Sequence, residues 1–563
     1  MVVPAATQRL FELDVAWDAV SATLAERQRH LALSAVLFHA LTNPGRTLTY
    51  HLHLGGDHQY PRLTDEGTYR RSSVVDAPLL GTFTARSLVE PTSETLAQVF
   101  DSEGALIRDT NERYLLLPPS EADDASVRAK WKVGWDVRLY EYLEEHEPAL
   151  LDVIRNFFWG RYERERDRRH RRRDYQRELA AMRREYSMAL PIPRLAGGMV
   201  ADAPPAVIIG LHFLQAGGAE RWALETVRIV REAGLLPIVI TDRESQQPWI
   251  GRDDLDGALV LCLSHPTTSH PGDDLLLRAI MEQFDVRGVL VHHCQWLYDR
   301  LAWLRLSRPG IPVVDSLHVL EFQGGFPRGA AVVDEDITVH HVISEQLRRW
   351  LVDTQRVPAD KVVLAPLTTL TLDEARPSGD PRDPTKPLTL AFIGRKTRQK
   401  RPDVFLLLLR RARRAGLEFR AIIHGDGEMD GLIRRTVHRY GLDDMVEIRS
   451  SETPVGETLG EADLLVITSS NEGITLTTFE AVAAGVPVIS TDVGAQAEVI
   501  PSDALLPRLA ATMMSPALDL LRKLSDAGAR ENLLARERAA VAELATYETA
   551  SEWMKGVVAQ WAK

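Results

Sequence analysis

Two successive stretches of alternating strand and helix signals constrain this chain more than any other feature. At Pro204-Pro205 an irregular, charge-rich pattern gives way to an apolar run over 206–211, a glycine-containing turn, a helix over 218–233 and a strand over 236–241. Further strand candidates lie at 258–263, 286–292 and 312–316. The alternation restarts at 388–394, with a helix over 402–415, a strand over 419–424, a helix over 429–440 and a strand over 445–449. Short apolar runs separated by amphipathic helices build parallel sheets covered by helices on both faces. A single hydrophobic core rarely grows beyond about 250–300 residues, and this chain has 563. The alternations are therefore read as two doubly wound, Rossmann-like α/β domains, 201–370 and 388–545, joined by a Pro-, Asp- and Thr-rich linker at 371–387 and followed by a terminal helix over 546–563.

The first 200 residues give a weaker signal and form a mixed, helix-rich accessory region of unassigned fold. Apolar residues at helical spacing, including Trp17, Val20, Leu24, Leu31, Ala35 and Phe38, predict a helix from Phe11 to Ala40, stopped by Asn43-Pro44-Gly45. A β-prone run follows at Thr47–Leu54, and a helical pattern occupies 125–188. Its second half, 161–184, holds more arginines than acids. That run fits either an anionic membrane surface or a solvated helix with Glu and Arg interleaved as local ion pairs. Tyr175, Leu179 and Met182 form a stripe able to pack on a partner helix. Acceptor selection, oligomerisation and membrane docking are the alternative roles for this region.

A net charge of −12 argues against nucleic acid as a partner. Cys262 and Cys294, each within an apolar run, are expected as buried free thiols, which fits a reducing cytoplasm. Nowhere do about 18 apolar residues run uninterrupted. A cytoplasmic protein is expected, with the inner face of a membrane as the alternative.

The chemistry concentrates in Ala462–Glu498. A strand at 464–468 meets a polar turn, Ser469-Ser-Asn-Glu472-Gly473, then a helix expected to start near Ile474 and a second strand after Gly485-Val486-Pro487. In an open parallel sheet, ligands bind where strands end in such turns. The unpaired N–H groups and positive dipole end of the helix attract a diphosphate, and two carboxylates, Glu472 and Glu480, can accept hydrogen bonds from sugar and ribose hydroxyls.

This paired-glutamate segment resembles the donor motif of retaining glycosyltransferases with the GT-B fold, particularly the large family-four group. The resemblance covers about 206–563. It implies two Rossmann-like domains facing a cleft, with Glu472 and the backbone of Gly473, Ile474 and Thr475 on the donor sugar and phosphate and Glu480 on the ribose. Phe392-Ile-Gly394-Arg395 followed by Lys400 resembles the strand and basic loop whose Arg and Lys grip the diphosphate; Lys396, Arg398 and Arg401 crowd the same loop. Gly217-Gly218-Ala-Glu220-Arg221 resembles the glycine loop that approaches the donor from the opposite lobe. Val313-Val-Asp315-Ser-Leu-His318 resembles the strand and histidine facing the reacting carbon, with His212, His292 and His293 as rivals. Gly425-Asp426-Gly427 resembles a tight family turn, Ser344 a helix cap, and the segment around Trp553 a helix that crosses back to the first lobe. The family's usual Pro-Asn-Gly-Val-Asp stretch is replaced by Pro366-Leu-Thr-Thr-Leu, and its Asn-Gly loop is missing beyond Glu498.

The implied activity is metal-independent transfer of a sugar, with retention, from a nucleotide-sugar co-substrate, UDP-linked by expectation, to a carbohydrate, lipid-linked or protein acceptor in bacterial-type glycan, glycolipid or glycoprotein synthesis. His318 and Glu472 are the catalytic candidates. No cofactor and no metal is expected, and the Asp-x-Asp runs at Asp254–Asp256 and Asp334–Asp336 are read as chance. A nucleotide-sugar epimerase or phosphorylase of the same fold, and an idle transferase-like scaffold, are the alternatives.

Overall fold

The computed structural model describes residues 5–54, 62–64, 77–90, 111–119, 135–158, 198–243, 245–263, 271–321, 325–370 and 387–563. The arginine-rich run at 161–184 with its Tyr175, Leu179 and Met182 stripe, and the linker segment 371–386, lie outside these residues.

Five strands, β1 (Phe11–Leu13), β2 (Thr47–Leu54), β3 (Arg62–Thr64), β4 (Leu79–Ser87) and β5 (Glu112–Leu117), form a mixed sheet in the order β1-β4-β2-β5-β3. Trp17, Tyr50 and Phe83 pack at its centre, with Tyr50 stacked on Phe83 at 5.1 Å. The continuous helix expected from Phe11 is not formed. Phe11–Leu13 pairs antiparallel with β4, and helices Ala16–Thr23 and Glu26–Thr42 follow, separated by extended Leu24 and Ala25. Asp14 explains the start of the break, because its carboxylate accepts hydrogen bonds from the backbone and hydroxyl of Thr84 on β4. Sheet pairing thus overrides local helical spacing.

The second sheet contains β6 (Pro205–Leu211), β7 (Leu236–Thr241), β8 (Leu259–Cys262), β9 (Asp285–His292), β10 (Val313–Leu317), β11 (Val339–Val342) and β12 (Val362–Leu364), in the order β12-β11-β10-β9-β6-β7-β8. The third contains β13 (Leu388–Ile393), β14 (Phe419–His424), β15 (Val446–Arg449), β16 (Leu464–Ile467), β17 (Val488–Thr491) and β18 (Leu505–Leu506), in the order β15-β14-β13-β16-β17-β18. Every pairing in both is parallel. The central strands are almost wholly buried, as sheets covered on both faces require, while the edge strands β8, β12 and β15 are partly exposed. Cys294 is buried and free; Cys262, on the edge strand β8, is free but only half-buried, because an edge strand is covered less completely. No described helix is long and apolar enough to cross a membrane.

The two parallel-sheet lobes face each other across a cleft bridged by Arg221–Glu480 and by Glu498 with the N–H groups of Glu345 and Gln346. The last helix, Ala550–Trp561, leaves the second lobe and packs on helix Gly218–Glu232 of the first. A side chain on Gly288 of β9 would stand 2.5 Å from the Trp561 ring.

The accessory region divides between the lobes. Helix Glu26–Thr42 packs on β8 and on helix Pro271–Gln283, and Ser34 Oγ accepts the Cys262 N–H at 2.8 Å. Helices Trp135–His146 and 148–158 lie instead on the second lobe. The helical stretch expected here breaks at Glu147, before Pro148, which is suited to the first turn of a new helix. Glu144 binds Arg398 through both oxygens at 2.8 and 3.0 Å, and Asp152 binds Arg401 at 2.8 Å and the Ala510 N–H at 2.6 Å. The outer side of the pair exposes Trp135, Tyr142, Phe157 and Phe158.

Candidate functional site

The cleft is built from strand-to-helix turns. In the second lobe β16 ends at Ile467, and the chain runs through Ser469–Gly473 into helix Leu476–Ala484 with Thr475 as its N-cap. The helix begins two residues later than expected, because Thr475 is still extended. The Thr478 N–H already bonds the Thr475 carbonyl at 3.0 Å, which leaves the N–H groups of Leu476 and Thr477 as the ones that helix geometry frees for an anion. Gly473 must be glycine for a spatial reason: a Cβ there would lie 2.0 Å from the carbonyl oxygen of His318, across the cleft. Gly494, at φ +56, passes close behind, where a Cβ would meet the Glu472 carbonyl.

The basic loop after β13 is sorted by its partners. Lys396 is buried and binds Asp430 at 2.6 Å, while Arg398 and Arg401 are taken by Glu144 and Asp152. Arg401 also donates to the carbonyls of Thr468, Ser469 and Arg508, so it braces the turn that carries Glu472. Lys400 turns the other way, with Nζ 2.6 Å from Glu472. The Arg395 guanidinium lies 5.8 Å from the ring centre of Phe213 in the first lobe, and no ion pair of Arg395 is found among the described residues. Gly425 and Gly427 let the neighbouring loop press on this one: side chains there would lie 2.3 Å from the Gly394 oxygen and 2.5 Å from the Lys396 oxygen. Their part is structural.

Glu480 is fully buried, pairs with Arg221 of the opposite lobe, and keeps its Oε2 without a hydrogen-bond partner. Gly218 stands 3.5 Å, measured from an added Cβ, from Leu476 at the start of the second-lobe helix. At Gly217 the Glu220 carboxylate folds back to within 2.0 Å of where a Cβ would stand, so a side chain there would displace that carboxylate. Glu220 binds His212 at 3.1 Å. Burial alone would raise the Glu220 carboxyl, but the hydrogen bond and charge of His212 and the charge of Arg395 outweigh it and hold it below its ordinary range.

The first lobe contributes histidines at strand ends. His292 closes β9, His293 follows in a left-handed backbone conformation at φ +56, and His318 follows β10. His293 accepts the His318 N–H at 3.3 Å and stacks on Phe326 at 4.8 Å. Burial, with mutual repulsion, pushes His292 down to about 3 and holds His293 and His318 well below the ordinary histidine value. These rings are neutral hydrogen-bonding groups. His318 Nδ1 is buried with no partner.

The structure thus brings Gly217, Gly218, His318, Arg395, Lys400, Glu472, Gly473, Ile474, Thr475 and Glu480 to one cleft. Sequence reasoning missed Phe213 and Phe326, and quoted Arg221 within the glycine loop without giving it a role. Arg221 was within reach, one helical turn beyond Gly217, but its pairing with Glu480 spans 259 residues. Ser344 caps helix Glu345–Arg349 through the Leu347 N–H, and Glu498 accepts the N–H groups of Glu345 and Gln346 across the lobes. Asp254 and Asp334 lie in short 3-10 turns, Asp334 being held by His340 and Lys361; among the described residues no group of three or more His, Cys, Asp or Glu is arranged to hold a metal ion.

Residues 376–507 match the family of glycosyl transferases group 1. A D-inositol 3-phosphate glycosyltransferase from Segniliparus rotundus is 27% identical over 237 residues, covering 37% of this chain and 52% of the relative. A protein of the same name from Nocardia farcinica is 28% identical over 295 residues, covering 47% of this chain and 62% of the relative. The chain spans about half the length of the first of these relatives. Among solved structures, Anabaena HepE in complex with UDP-glucose aligns with 63% of this chain and 98% of its own at a TM-score of 0.49 and 13% identity. The pneumococcal O-GlcNAc transferase GtfA, in complex with UDP and GlcNAc, aligns with 64% and 99% at a TM-score of 0.49 and 14% identity.

Proposed function

With residues 376–507 placed among the group 1 glycosyl transferases, we propose that the chain transfers a sugar, with retention and without a metal, from a nucleotide diphosphate, UDP in the first instance, to an acceptor hydroxyl. One observation carries the reading: Lys400 against Glu472, Arg395 over Phe213 and within charge range of Glu220, and the N-terminal end of helix Leu476–Ala484, which carries Glu480, all line one cleft. Two fixed cations and a helix N-terminus match a diphosphate, and two carboxylates match neutral hydroxyls on either side of it.

In this reading Glu480 takes the ribose hydroxyls, its unpartnered oxygen supplying the acceptor, while Arg221 yields or shares the other. Lys400, now paired with Glu472, turns its charge to the diphosphate and leaves the Glu472 carboxylate to the sugar. The bond between the anomeric carbon and the diphosphate oxygen breaks as the acceptor oxygen attacks the same face. The acceptor proton passes to a donor phosphate oxygen. Arg395 and Lys400 stabilise the negative charge that gathers on the leaving group, and the touching lobes keep water out. Glu472 and Glu480 are not a glycosidase pair, since such carboxylates flank a scissile bond from opposite sides. The acceptor belongs on the first lobe, near His212, Phe213 and Phe326.

A thermal-shift screen of the full chain against UDP, GDP, ADP and their sugar conjugates, with and without chelator, tests this. A selective rise that survives chelator and vanishes in Glu480→Ala is expected. No rise with any nucleotide would overturn the reading.

A further inference from the structure

Behind the cleft, three side chains converge on the hydroxyl of a fourth. Ser316 Oγ, on β10, lies 2.8 Å from His341 Nδ1, 3.0 Å from Trp222 Nε1 and 3.3 Å from His318 Nε2. The far nitrogen of His341, Nε2, lies 2.8 Å from the carbonyl oxygen of Ala365. All four side chains are buried, and Trp553 of the terminal helix stacks on His341 at 5.2 Å.

The donors and acceptors can be assigned in only one way. A carbonyl oxygen only accepts, so His341 carries its proton on Nε2. Burial, only partly offset by the Ala365 hydrogen bond, pushes His341 down to about 4, so at neutral pH its Nδ1 is a bare lone pair. The contact from Ser316 is therefore O–H to N, which uses the one serine proton. Trp222 Nε1 is donor only and fills one lone pair of the hydroxyl oxygen. His318 Nε2 faces the other, and two lone pairs would repel there, so His318 must be the Nε2–H form. Its Nδ1, the atom without a partner, is then an acceptor.

We infer that Ser316 is a positioning residue that locks His318 as the Nε2–H tautomer, so that Nδ1 accepts a hydroxyl of the transferred sugar and turns phosphate oxygens away. The role in sugar recognition rests on the proposed glycosyl transfer; the tautomer does not. His318 meets Gly473 at its own carbonyl, which sets the ring at the junction of the lobes. A lone pair there attracts O–H groups and repels anionic oxygen. Diphosphate and sugar are thereby kept to opposite ends of the site, with the cations of the second lobe holding the other end.

The test is two-bond proton–nitrogen correlation spectroscopy of the full chain labelled with [15N]histidine, His318 being identified by its loss in His318→Asn. The wild type is expected to show His318 protonated on Nε2 alone from pH 8 to pH 6. Ser316→Ala should give a mixture or the Nδ1–H form, and Ser316→Thr, which keeps the hydroxyl, should restore the wild-type state. A wild-type His318 protonated on Nδ1, or a tautomer unmoved in Ser316→Ala, overturns the inference whether or not the chain binds nucleotides. Calorimetry supplies the functional arm: Ser316→Ala should weaken UDP-sugar binding about tenfold and leave UDP itself unchanged. An equal loss for both would reduce Ser316 to a structural residue.

Discussion

The two lobes meet the same cleft with opposite chemistry. The second presents permanent charge, with Lys400 against Glu472, Arg395 over Phe213 of the first lobe and Glu480 buried opposite Arg221. The first adds Arg221 and Glu220 but chiefly presents His292, His293 and His318, held neutral mainly by burial, with His341 neutral behind them. Charge suits phosphate and neutral lone pairs suit hydroxyls, so under the proposed function the contrast would divide a nucleotide sugar between the lobes.

The largest effect should come from the support of the charged lobe. Asp152→Ala leaves Arg401 buried without its carboxylate, and breaking a buried pair costs about 3–5 kcal/mol. The thermal midpoint should fall by several degrees, and an unchanged midpoint would mean that the accessory helices do not brace the donor lobe. Lys400→Ala should lower kcat/KM by about 100- to 1000-fold, the scale for one group that stabilises developing charge; a change in KM alone would place Lys400 in binding only. Glu480→Ala should weaken UDP about 10- to 100-fold in calorimetry, and unchanged affinity would remove the ribose from this carboxylate. The smallest effect concerns the neutral lobe. His341 sits at about 4 when folded against about 6.5 unfolded, so below pH 6.5 the unfolded chain binds the extra proton. The stability this ring contributes is present above pH 6.5 and is lost as pH falls toward 4, with a slope of at most about 1.4 kcal/mol per pH unit. Urea midpoints across that window should flatten by that amount in His341→Gln; a parallel pair of curves would show the ring charged in the fold.

The lobes also differ in how much of them could be read from sequence. Glu472, Gly473 and Glu480 lie on one turn and helix, and Arg395 and Lys400 on one loop, so spacing along the chain is spacing in the site. The first lobe assembles His212, His293 and the Ser316–His318 pair from three strand ends, and only the order of strands brings these together. A histidine in a list of rivals carries no sign of its neighbours. The parallel sheets were legible because buried strands are uninterrupted apolar runs. The accessory sheet was not, because Phe11–Leu13 takes its conformation from β4, which lies more than 60 residues away in sequence.

Arg401 has one further consequence. The guanidinium that orders the Thr468–Ser469 turn draws its neutralising carboxylate from a helix about 250 residues earlier, and that helix shows its oily side outward. A cut at residue 200, where the sequence pattern changes, would therefore sever a salt bridge at the heart of the donor lobe. The border visible in the one-dimensional text is not a border of cooperative folding, and a fragment beginning at Pro204 should be judged as a damaged protein, not as a minimal one.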